Sequence, residues 1–275
     1  MTISAATKLT AVVGNPVRHS LSPVLHNTIY ANEKVDAVML AFENASIETL
    51  VGAIRALPIG LTAVTIPHKQ KIIPLLDEVD PVATAIGAVN TVVNRAGKLY
   101  GYNTDVVGFA HALKDVPLKG KNVLLLGAGG AAHTAAYHLQ QAGANMFCYN
   151  RRDAEQAKVL CRDFSGTAIP LEAIRDYSFD VIVNATPVGM APNSDASPIE
   201  PDIIRPGATV FDFIYTPLKT RLLKDAAAKG ARAISGLGML VAQGIEQERL
   251  WLGREIKDDC YTELLENELL AHTGN

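Results

Sequence analysis

Two charged side chains in the first half of the chain, Lys69 and Asp105, have the types and positions to move a proton at an alcohol or a ketone. Lys69 directly follows the apolar run AVTIPH (63–68), which places it just past the carboxyl end of a predicted strand, where ligands of open parallel sheets bind. A lysine there can protonate a ketone oxygen during reduction and accept the proton during oxidation. Asp105, in the sequence GYNTD, could hold the ammonium group and bind a substrate hydroxyl. A solvated lysine and a turn-forming aspartate are the alternatives.

A glycine-rich loop near the middle of the chain has the pattern of a dinucleotide phosphate site. The apolar stretch VLLL (123–126) runs directly into the sequence GAGGAA (127–132), and an alanine-rich helical pattern follows. Gly127 permits a tight turn, Gly129 lets the backbone approach a pyrophosphate, and Ala132 allows the helix to pack closely on the strand. The amides and the positive dipole end of that helix would bind the phosphates. A plain tight turn is the alternative.

The end of the next predicted strand bears on the choice between NADP and NAD. An NAD enzyme places an acidic residue about 20 residues after the glycine loop, where it binds the ribose hydroxyls. Here that segment reads Asn150, Arg151, Arg152, Asp153. Guanidinium groups favour the extra phosphate of NADP, because they are always charged and offer paired donors. Asp153 could instead bind a 2′-hydroxyl and allow NAD, and a solvated arginine pair is the remaining alternative.

Other polar residues close to these segments have weaker patterns. His19, His26 and His68 show no HxH or HExxH spacing and no carboxylate at ligand spacing, so we expect hydrogen-bonded histidines and no metal site. Ser20 and Ser22 stand before a predicted helix, where either could be its N-cap. Their hydroxyls could alternatively bind a substrate carboxylate.

The elements that must position these residues alternate between strand and helix patterns, which indicates parallel strands with crossover helices. The first expected strands are Lys8–Gly14, Ala37–Phe42, Leu61–Ile66 and Val89–Val93, with a short return over Leu99–Tyr102. Helices are expected over Pro23–Asn32 and Ile47–Leu57, the second with Ser46 at its N-cap. From Lys121 to Ser235 a second, more regular parallel α/β pattern follows. Helical patterns over Gly238–Gly253 and Thr262–His272 have no strands of their own, so we expect both helices to cover the first domain.

The bulk properties bound the class of protein. A length of 275 residues predicts two domains. We expect the first domain to consist of residues 1–105 together with 238–275, and the second to consist of residues 106–237. With 19% charged and 48% hydrophobic residues, the composition is typical of a globular protein. The net charge of −3 predicts no basic surface for binding nucleic acid. No apolar run reaches a membrane span and no export signal is visible, so we expect a cytosolic protein that does not engage membranes. Three cysteines without CxxC spacing, Cys148, Cys161 and Cys260, favour core or surface thiols.

Taken in order, these residues resemble those of the shikimate dehydrogenase family, which includes shikimate and quinate dehydrogenases, across nearly the whole chain. The matching segments are Gly14-Asn15-Pro16, His19-Ser20-Leu21-Ser22-Pro23 with His26-Asn27, Val64-Thr65-Ile66-Pro67-His68-Lys69, Gly87-Ala88-Val89-Asn90-Thr91, Asn103-Thr104-Asp105, the glycine loop, Asn150-Arg151, Asn184-Ala185-Thr186, Asp212 to Pro217 and Gly236 to Gln243. The resemblance implies an N-terminal α/β substrate domain with a mainly parallel sheet. It also implies a Rossmann-like NADP-binding domain, with C-terminal helices that return to the first domain. Reversible reduction of 3-dehydroshikimate to shikimate, in chorismate and aromatic amino acid biosynthesis, would be the activity.

The resemblance also assigns roles to individual residues. It makes Lys69 and Asp105 the catalytic pair. It places the substrate among Ser20, Ser22, Thr65, Lys69, Asn90, Asp105, Tyr215 and Gln243. It places the cofactor among Gly127, Ala128, Gly129, Gly130, Ala131, Asn150, Arg151, Arg152, Asp153, Thr186, Phe213, Gly236 and Met239. The implied partners are shikimate or 3-dehydroshikimate and NADP, with a monomer or a homodimer as the assembly.

Several positions depart from the family pattern, among them Thr216 and the pair His133-Thr134. Ala63 stands where asparagine is common, and Val106 follows Asn-Thr-Asp where glycine is common. Because valine has less backbone freedom than glycine, we expect a differently shaped loop beside Asp105.

Two alternative functions are kept: a quinate/shikimate dehydrogenase able to use NAD, which Asp153 after Arg152 suggests, and a dinucleotide-binding regulator without turnover, which Ala63 and Val106 suggest. No helix-turn-helix or basic segment is visible to give such a regulator an output.

Overall fold

The contacts within the chain divide it into two α/β units. The computed structural model describes residues 3–257 and 261–273, so Cys260 lies outside the described residues. The first unit contains the residues up to Val107 and the stretch Val241–Leu265. The second contains Gly108–Leu240 and the residues from Glu266 onward. The predicted α/β class with mostly parallel sheets is confirmed.

The first unit is built on a six-stranded sheet. Its strands are β1 (Lys8–Gly14), β2 (Ala37–Glu43), β3 (Leu61–Val64), β4 (Glu78–Val79), β5 (Thr91–Arg95) and β6 (Lys98–Tyr102), in the order β2-β1-β3-β5-β6-β4. β1 runs parallel to β2 and β3, whereas β5 runs antiparallel to β3 and β6. The carboxyl ends of β1, β3 and β6 and the amino end of β5 therefore lie along one edge of the sheet, which we call the shared edge.

Helices cover both faces of this sheet. The helices are α1 (Ser22–Asn32), α2 (Ile47–Ala56), α3 (Pro81–Ile86) and α4 (Asp105–Ala112), which begins in this unit. α2 presents Ile47, Leu50 and Ile54 to one buried cluster, and Ser46 caps it by accepting a hydrogen bond from the Thr49 amide at 3.1 Å. The opposite cluster contains Tyr30 of α1, and Trp251 packs against it from the long helix near the C-terminus.

The second unit has six strands that all run parallel. They are β7 (Asn122–Leu126), β8 (Asn145–Tyr149), β9 (Thr167–Ala168), β10 (Val181–Asn184), β11 (Thr209–Asp212) and β12 (Arg232–Ser235), in the order β12-β11-β10-β7-β8-β9. Helices α5 (Gly130–Gln141), α6 (Ala154–Asp163) and α7 (Arg221–Ala228) connect β7 to β8, β8 to β9 and β11 to β12. Alternate residues of β7 are buried in two different clusters, so this strand is covered on both faces. The strand order reverses beside β7, which makes its carboxyl end the expected ligand site of a doubly wound sheet.

The two C-terminal helices are α8 (Leu237–Leu252) and α9 (Tyr261–Thr273). From Val241 onward α8 belongs to the first unit, as does α9 up to Leu265, whereas α9 from Glu266 onward belongs to the second unit. The expectation that both terminal helices cover the first domain therefore fits α8 better than α9. Among the described residues no helix is both long enough and apolar enough to cross a bilayer.

Several elements differ from the sequence predictions in ways that have physical causes. β3 ends at Val64, two residues before the predicted bound, because a turn begins at Ile66, and β5 begins at Thr91, two residues after the predicted bound. The two-residue strands β4 and β9 are too short to show a periodicity. The sequence assigned no element to residues 105–112, which form helix α4 with Val106 as its second residue. The expected difference in loop shape beside Asp105 stays a prediction.

Leu124 lies in the central strand β7 and is fully buried. We expect Leu124→Ala to lower the free energy of unfolding by about 2–5 kcal/mol, because the substitution removes apolar contacts and leaves a cavity. Urea unfolding of the whole chain measures this. The control is Leu171→Ala in the same unit, where the side chain is 51% exposed and the expected loss is below about 0.5 kcal/mol. Equal losses in the two variants would contradict the assignment of β7 to the core.

Candidate active site

Lys69 is held at the shared edge by the turn that follows β3. The Thr65 amide continues the sheet by donating to the Val13 carbonyl, and the His68 amide then donates to the Thr65 carbonyl at 3.0 Å. This turn directs the chain away from the strand, and the Lys69 carbonyl accepts from the Val89 amide at 2.8 Å. Lys69 is therefore fixed next to the residues that begin β5, as the sequence predicts for a residue past a strand end.

Asp105 reaches the same edge from β6. It is the first residue of α4, and the preceding Asn103 accepts from the Val106 amide and donates to the Ala88 carbonyl. The Lys69 ammonium donates a hydrogen bond to Asp105 Oδ2, and the two side chains are only 16% and 8% exposed. The predicted pair is therefore present, and both groups are largely shielded from water.

Asn90 connects this ion pair to its surroundings. Its side-chain amide nitrogen donates to Asp105 Oδ1 and to Thr104 Oγ1, each at 2.9 Å, and also lies 3.1 Å from Gln243 Oε1. Its oxygen accepts from the Thr104 amide at 2.7 Å and from the Thr91 hydroxyl at 2.8 Å. Because both ends of the amide are used, Asn90 fixes which oxygen of Asp105 faces the lysine.

Helix α8 contributes two glutamines, one turn apart, to this cluster. Gln243 Oε1 accepts from Asn90, and Gln247 Nε2 donates to the Thr91 hydroxyl at 2.9 Å and to the Asn90 carbonyl at 3.3 Å. Both glutamines are buried. The cluster of Lys69, Asn90, Asp105 and Gln243 thus brings together four of the residues predicted from the sequence.

The predicted carboxylate-binding serines lie after β1. Ser20 Oγ donates to Ser22 Oγ at 3.2 Å and accepts from the Ser22 amide. The N-cap position of α1 is Leu21, and no side chain caps this helix. The alternative role as caps is therefore wrong for both serines. Thr65, half-buried in the turn after β3, lies at the carboxyl end of a strand parallel to β1.

Two of the three neighbouring histidines have structural partners. His26 pairs with the Glu248 carboxylate inside the first unit, and His68 Nε2 faces the Asn44 carbonyl at 2.8 Å. Both rings are fully buried. These contacts fit the expectation of hydrogen-bonded histidines.

In the second unit the glycine loop follows β7, as predicted. Gly127 has a φ of +104°, and a Cβ there would lie 3.0 Å from Thr186 Cγ2 and 3.2 Å from the Ala185 carbonyl. A side chain is therefore excluded both by conformation and by space. A Cβ built at Gly129 meets nothing within 4 Å, so this face of the loop is open. Because α5 begins at Gly130 without a side-chain cap, its first amides are available to an anion.

A buried carboxylate organises the loops after β10 and β11. Asp212 accepts hydrogen bonds from Asn184 Nδ2 at 3.0 Å, from the Ile214 amide at 3.0 Å and from the Thr220 hydroxyl at 2.7 Å. Asn184 Oδ1 in turn accepts from the Thr186 amide and the Thr186 hydroxyl. This network fixes Thr186 and the turn that contains Phe213, both predicted cofactor contacts.

The segment after β8 presents the two arginines to solvent. Asp153 caps α6 by accepting from the Glu155 and Gln156 amides at 2.9 and 3.2 Å, and Asn150 Nδ2 donates to the Asp153 carbonyl. Arg151 and Arg152 are exposed, and neither forms a hydrogen bond or ion pair with any residue that the structure describes. One oxygen of the Asp153 carboxylate is thus committed to the helix end, while both guanidinium groups are available.

The remaining predicted cofactor contacts lie in the second unit, and so does the predicted substrate contact Tyr215. Ala128 and Met239 are buried, and Ala131 is half-buried near the start of α5. The Gly236 amide donates to the Ile214 carbonyl at 3.2 Å. The individual ligand roles of these residues stay predictions.

Sequence reasoning missed three polar groups of the first unit's cluster: Thr91, Thr104 and Gln247. Thr91 and Thr104 stand inside segments quoted for the resemblance, but they received no role. Gln247 lies four residues after Gln243, and this helical spacing on one face was a usable signal. Asn184 and Asp212 were also quoted, without their hydrogen bonds to each other.

The fold and the two clusters define a class of protein. A doubly wound parallel unit with an open glycine loop, in a chain whose other unit holds a shielded lysine–carboxylate pair, is a dinucleotide-dependent oxidoreductase. Family models of the shikimate dehydrogenase substrate binding domain, of shikimate / quinate 5-dehydrogenase and of the shikimate 5′-dehydrogenase C-terminal domain match residues 12–92, 110–191 and 236–260.

Individual relatives match the chain over nearly its whole length. The NADP-dependent shikimate dehydrogenase of Moorella thermoacetica is 38% identical over 286 residues, which cover 99% of this chain and 97% of that protein. The corresponding Pyrococcus furiosus enzyme is 42% identical over 92% of this chain and 93% of its own length. Shikimate dehydrogenase of Thermus thermophilus, solved with NADP(H) and shikimate, superposes with a TM-score of 0.86 at 37% identity, covering 95% of this chain and 99% of that one. This chain belongs to the shikimate dehydrogenase family, and the resemblance is confirmed.

Asp212 makes the stability of the chain depend on pH. Burial raises the pKa of Asp212 from 3.8 to about 6, although its three hydrogen bonds oppose the shift. Because the pKa is raised in the folded chain, this stabilisation is fully present below 3.8 and is lost as the pH rises through about 6. We expect the unfolding free energy of the unaltered chain, relative to Asp212→Asn, to fall by about 2 kcal/mol between about pH 4 and pH 7. Urea titrations that show a constant difference over this range would contradict the prediction.

Proposed function

We propose that this chain catalyses the reversible, NADP-dependent reduction of 3-dehydroshikimate to shikimate, a step of chorismate and aromatic amino acid biosynthesis. The observation that carries the proposal is the shielded contact between Lys69 and Asp105 at the shared edge. An ammonium group next to a carboxylate can deliver a proton to a developing alkoxide and take it back in the reverse direction. The test is the oxidation of NADPH by the purified chain in the presence of 3-dehydroshikimate, and no turnover would contradict the proposal.

The first unit would bind the substrate. Ser20 and Ser22 offer hydroxyl donors that suit the ring carboxylate. Asn90, Asp105 and Gln243 offer both donors and acceptors, which suit ring hydroxyls. During reduction the Lys69 ammonium donates its proton to the carbonyl oxygen, and Asp105 holds the lysine in place before and after the transfer.

The second unit would hold the dinucleotide. Its open loop face at Gly129 and the uncapped start of α5 fit a pyrophosphate, and Arg151 and Arg152 fit a 2′-phosphate. When bound, the nicotinamide supplies the hydride that the carbonyl carbon accepts. Thr186 and Phe213, held by the Asn184 and Asp212 network, would line the same site.

The same geometry bears on the choice of cofactor. A carboxylate that selects NAD must be available to the ribose hydroxyls, but Asp153 already caps α6 with one of its oxygens. This favours NADP. The second candidate, a quinate/shikimate dehydrogenase able to use NAD, is separated by comparing kcat/KM for shikimate and quinate with both cofactors.

The setting of the reaction is also part of the proposal. The thiols of Cys148 and Cys161 are free and buried, which fits a reducing compartment such as the cytosol. The enzyme would act there as a monomer or a homodimer. A mass measurement in solution distinguishes these assemblies.

Lys69→Ala should lower kcat by about two to four orders of magnitude, the usual contribution of a positioned acid or base. NADP binding should persist, because the glycine loop belongs to the other unit. The matched control is Lys71→Ala, which removes the same charge from an exposed position two residues away and should leave kcat unchanged. Near-normal kcat in the Lys69 variant would remove this residue from the mechanism.

Arg151→Ala should weaken NADP much more than NAD, because only NADP carries the phosphate that the guanidinium would bind. Arg162→Ala on α6 is the control, since it removes an exposed arginine that pairs with Asp163. Dissociation constants for both cofactors, measured by fluorescence titration, give the comparison. Equal weakening of NADP and NAD by Arg151→Ala would contradict the phosphate assignment.

A further inference from the structure

A fully buried carboxylate lies between α1 and α8, away from the lysine pair. Glu248 Oε1 accepts a hydrogen bond from the Tyr30 hydroxyl at 2.8 Å and also pairs with His26. The side chains of His26 and Glu248 are 0% exposed, and Tyr30 is equally buried. Glu248 Oε2 and His26 Nε2 have no hydrogen-bond partner among the described residues, so the two contacts of Oε1 alone offset the burial of this carboxylate. These contacts favour one relative position of the two helices.

This carboxylate shares a helix with the glutamines of the active site. Gln243 and Gln247 are one turn apart and contact Asn90 and Thr91, whereas Glu248 follows Gln247 directly and faces α1 instead. Successive residues of a helix point about 100° apart. The direction of Glu248 toward α1 therefore determines the direction of the two glutamines toward Asn90.

The two helices also approach each other closely at this level. A Cβ at Gly244, one turn before Glu248, would lie 2.6 Å from Leu25 Cδ2 and 3.5 Å from His26 Nε2. The absent side chain at 244 allows the short separation at which His26 and Tyr30 reach Glu248. The close packing and the buried polar contacts thus specify the same rotation of α8 about its axis and the same position along that axis.

We propose that Glu248 is a positioning residue for the reaction: through Tyr30 and His26 it fixes the rotation of α8, so that Gln243 meets Asn90 and the substrate. Among the described residues, the hydrogen bonds of Glu248 go to Tyr30 and His26, and none goes to Lys69 or Asp105. This inference rests on the proposed function, since it concerns the binding of shikimate in the first unit. It assigns a role in substrate binding to a residue that would otherwise be only part of the core.

The test compares Glu248→Met with Glu248→Gln by steady-state kinetics. Methionine keeps the volume but accepts no strong hydrogen bond, so the KM for shikimate should rise about tenfold, the effect of one lost positioned contact. The KM for NADP should stay within about twofold, because the dinucleotide residues lie in the other unit. Glutamine restores an acceptor for Tyr30 and His26 and should return the shikimate KM to within about threefold.

A double-mutant cycle with Gln243→Ala separates positioning from general destabilisation. Once Gln243 is truncated, Glu248→Met should raise the shikimate KM by less than about twofold further, because the contact that it positions is gone. If the increase in shikimate KM of the double variant equals the product of the two single increases, the inference is overturned. An unchanged shikimate KM in folded Glu248→Met would overturn it as well. If Glu248→Met does not fold, the Tyr30→Phe variant provides the test. An increase of about threefold in the shikimate KM supports the inference, and an unchanged shikimate KM overturns it.

Thr10→Val is the matched control, because Thr10 belongs to the same series of buried hydrogen bonds. The Thr10 hydroxyl lies 2.9 Å from the Tyr30 hydroxyl, but it makes no contact with Glu248. The control should lower stability and leave the shikimate KM unchanged, and an equal rise in KM would overturn the inference. Absence of turnover in the unaltered chain overturns the proposed function as well, whereas unaffected variants of an active chain overturn the inference alone.

Discussion

The hydrogen bond from Asn90 to Asp105 is the contact on which the polar cluster of the first unit depends. A carboxylate shared between a lysine and solvent can rotate, but here one oxygen accepts from Asn90 and the other from Lys69. The side chain of Asn90 is fixed in turn, because its other hydrogen bonds are made with Thr91, Thr104 and Gln243. The ion pair is therefore presented in one orientation, which general acid–base catalysis requires.

The direction of the strands makes this contact possible. Lys69 follows β3, Asn90 precedes β5 and Asp105 follows β6, and the antiparallel course of β5 puts all three at the shared edge. In the second unit the glycine loop occupies the corresponding position, at the carboxyl end of β7 where the strand order reverses. Both units thus form their clusters from loops that a rigid sheet supports, although the two sheets differ in topology.

The sequence predicted the long elements and most residues of the clusters, because these depend on local signals. Strand β1, the glycine loop and Lys69 past a strand end all follow from periodicity and turn chemistry. The hydrogen bonds from Asn90 to Gln243 and from Asn184 to Asp212 could not be predicted in this way, since each joins segments that are distant in the sequence. Helix α4 was not predicted, because eight residues are too few to show a clear helical period.

The position of Gln243 beside Asn90 depends in turn on the buried contacts of Glu248. These contacts join α8, the helix that carries Gln243, to Tyr30 of α1. The most direct test of the whole account is a crystal structure of the chain with shikimate bound. We expect one ring hydroxyl within about 3 Å of both Lys69 Nζ and the Asp105 carboxylate, the usual hydrogen-bond distance, with the ring carboxylate at Ser20 and Ser22. Shikimate bound with no hydroxyl in reach of Lys69 would contradict it.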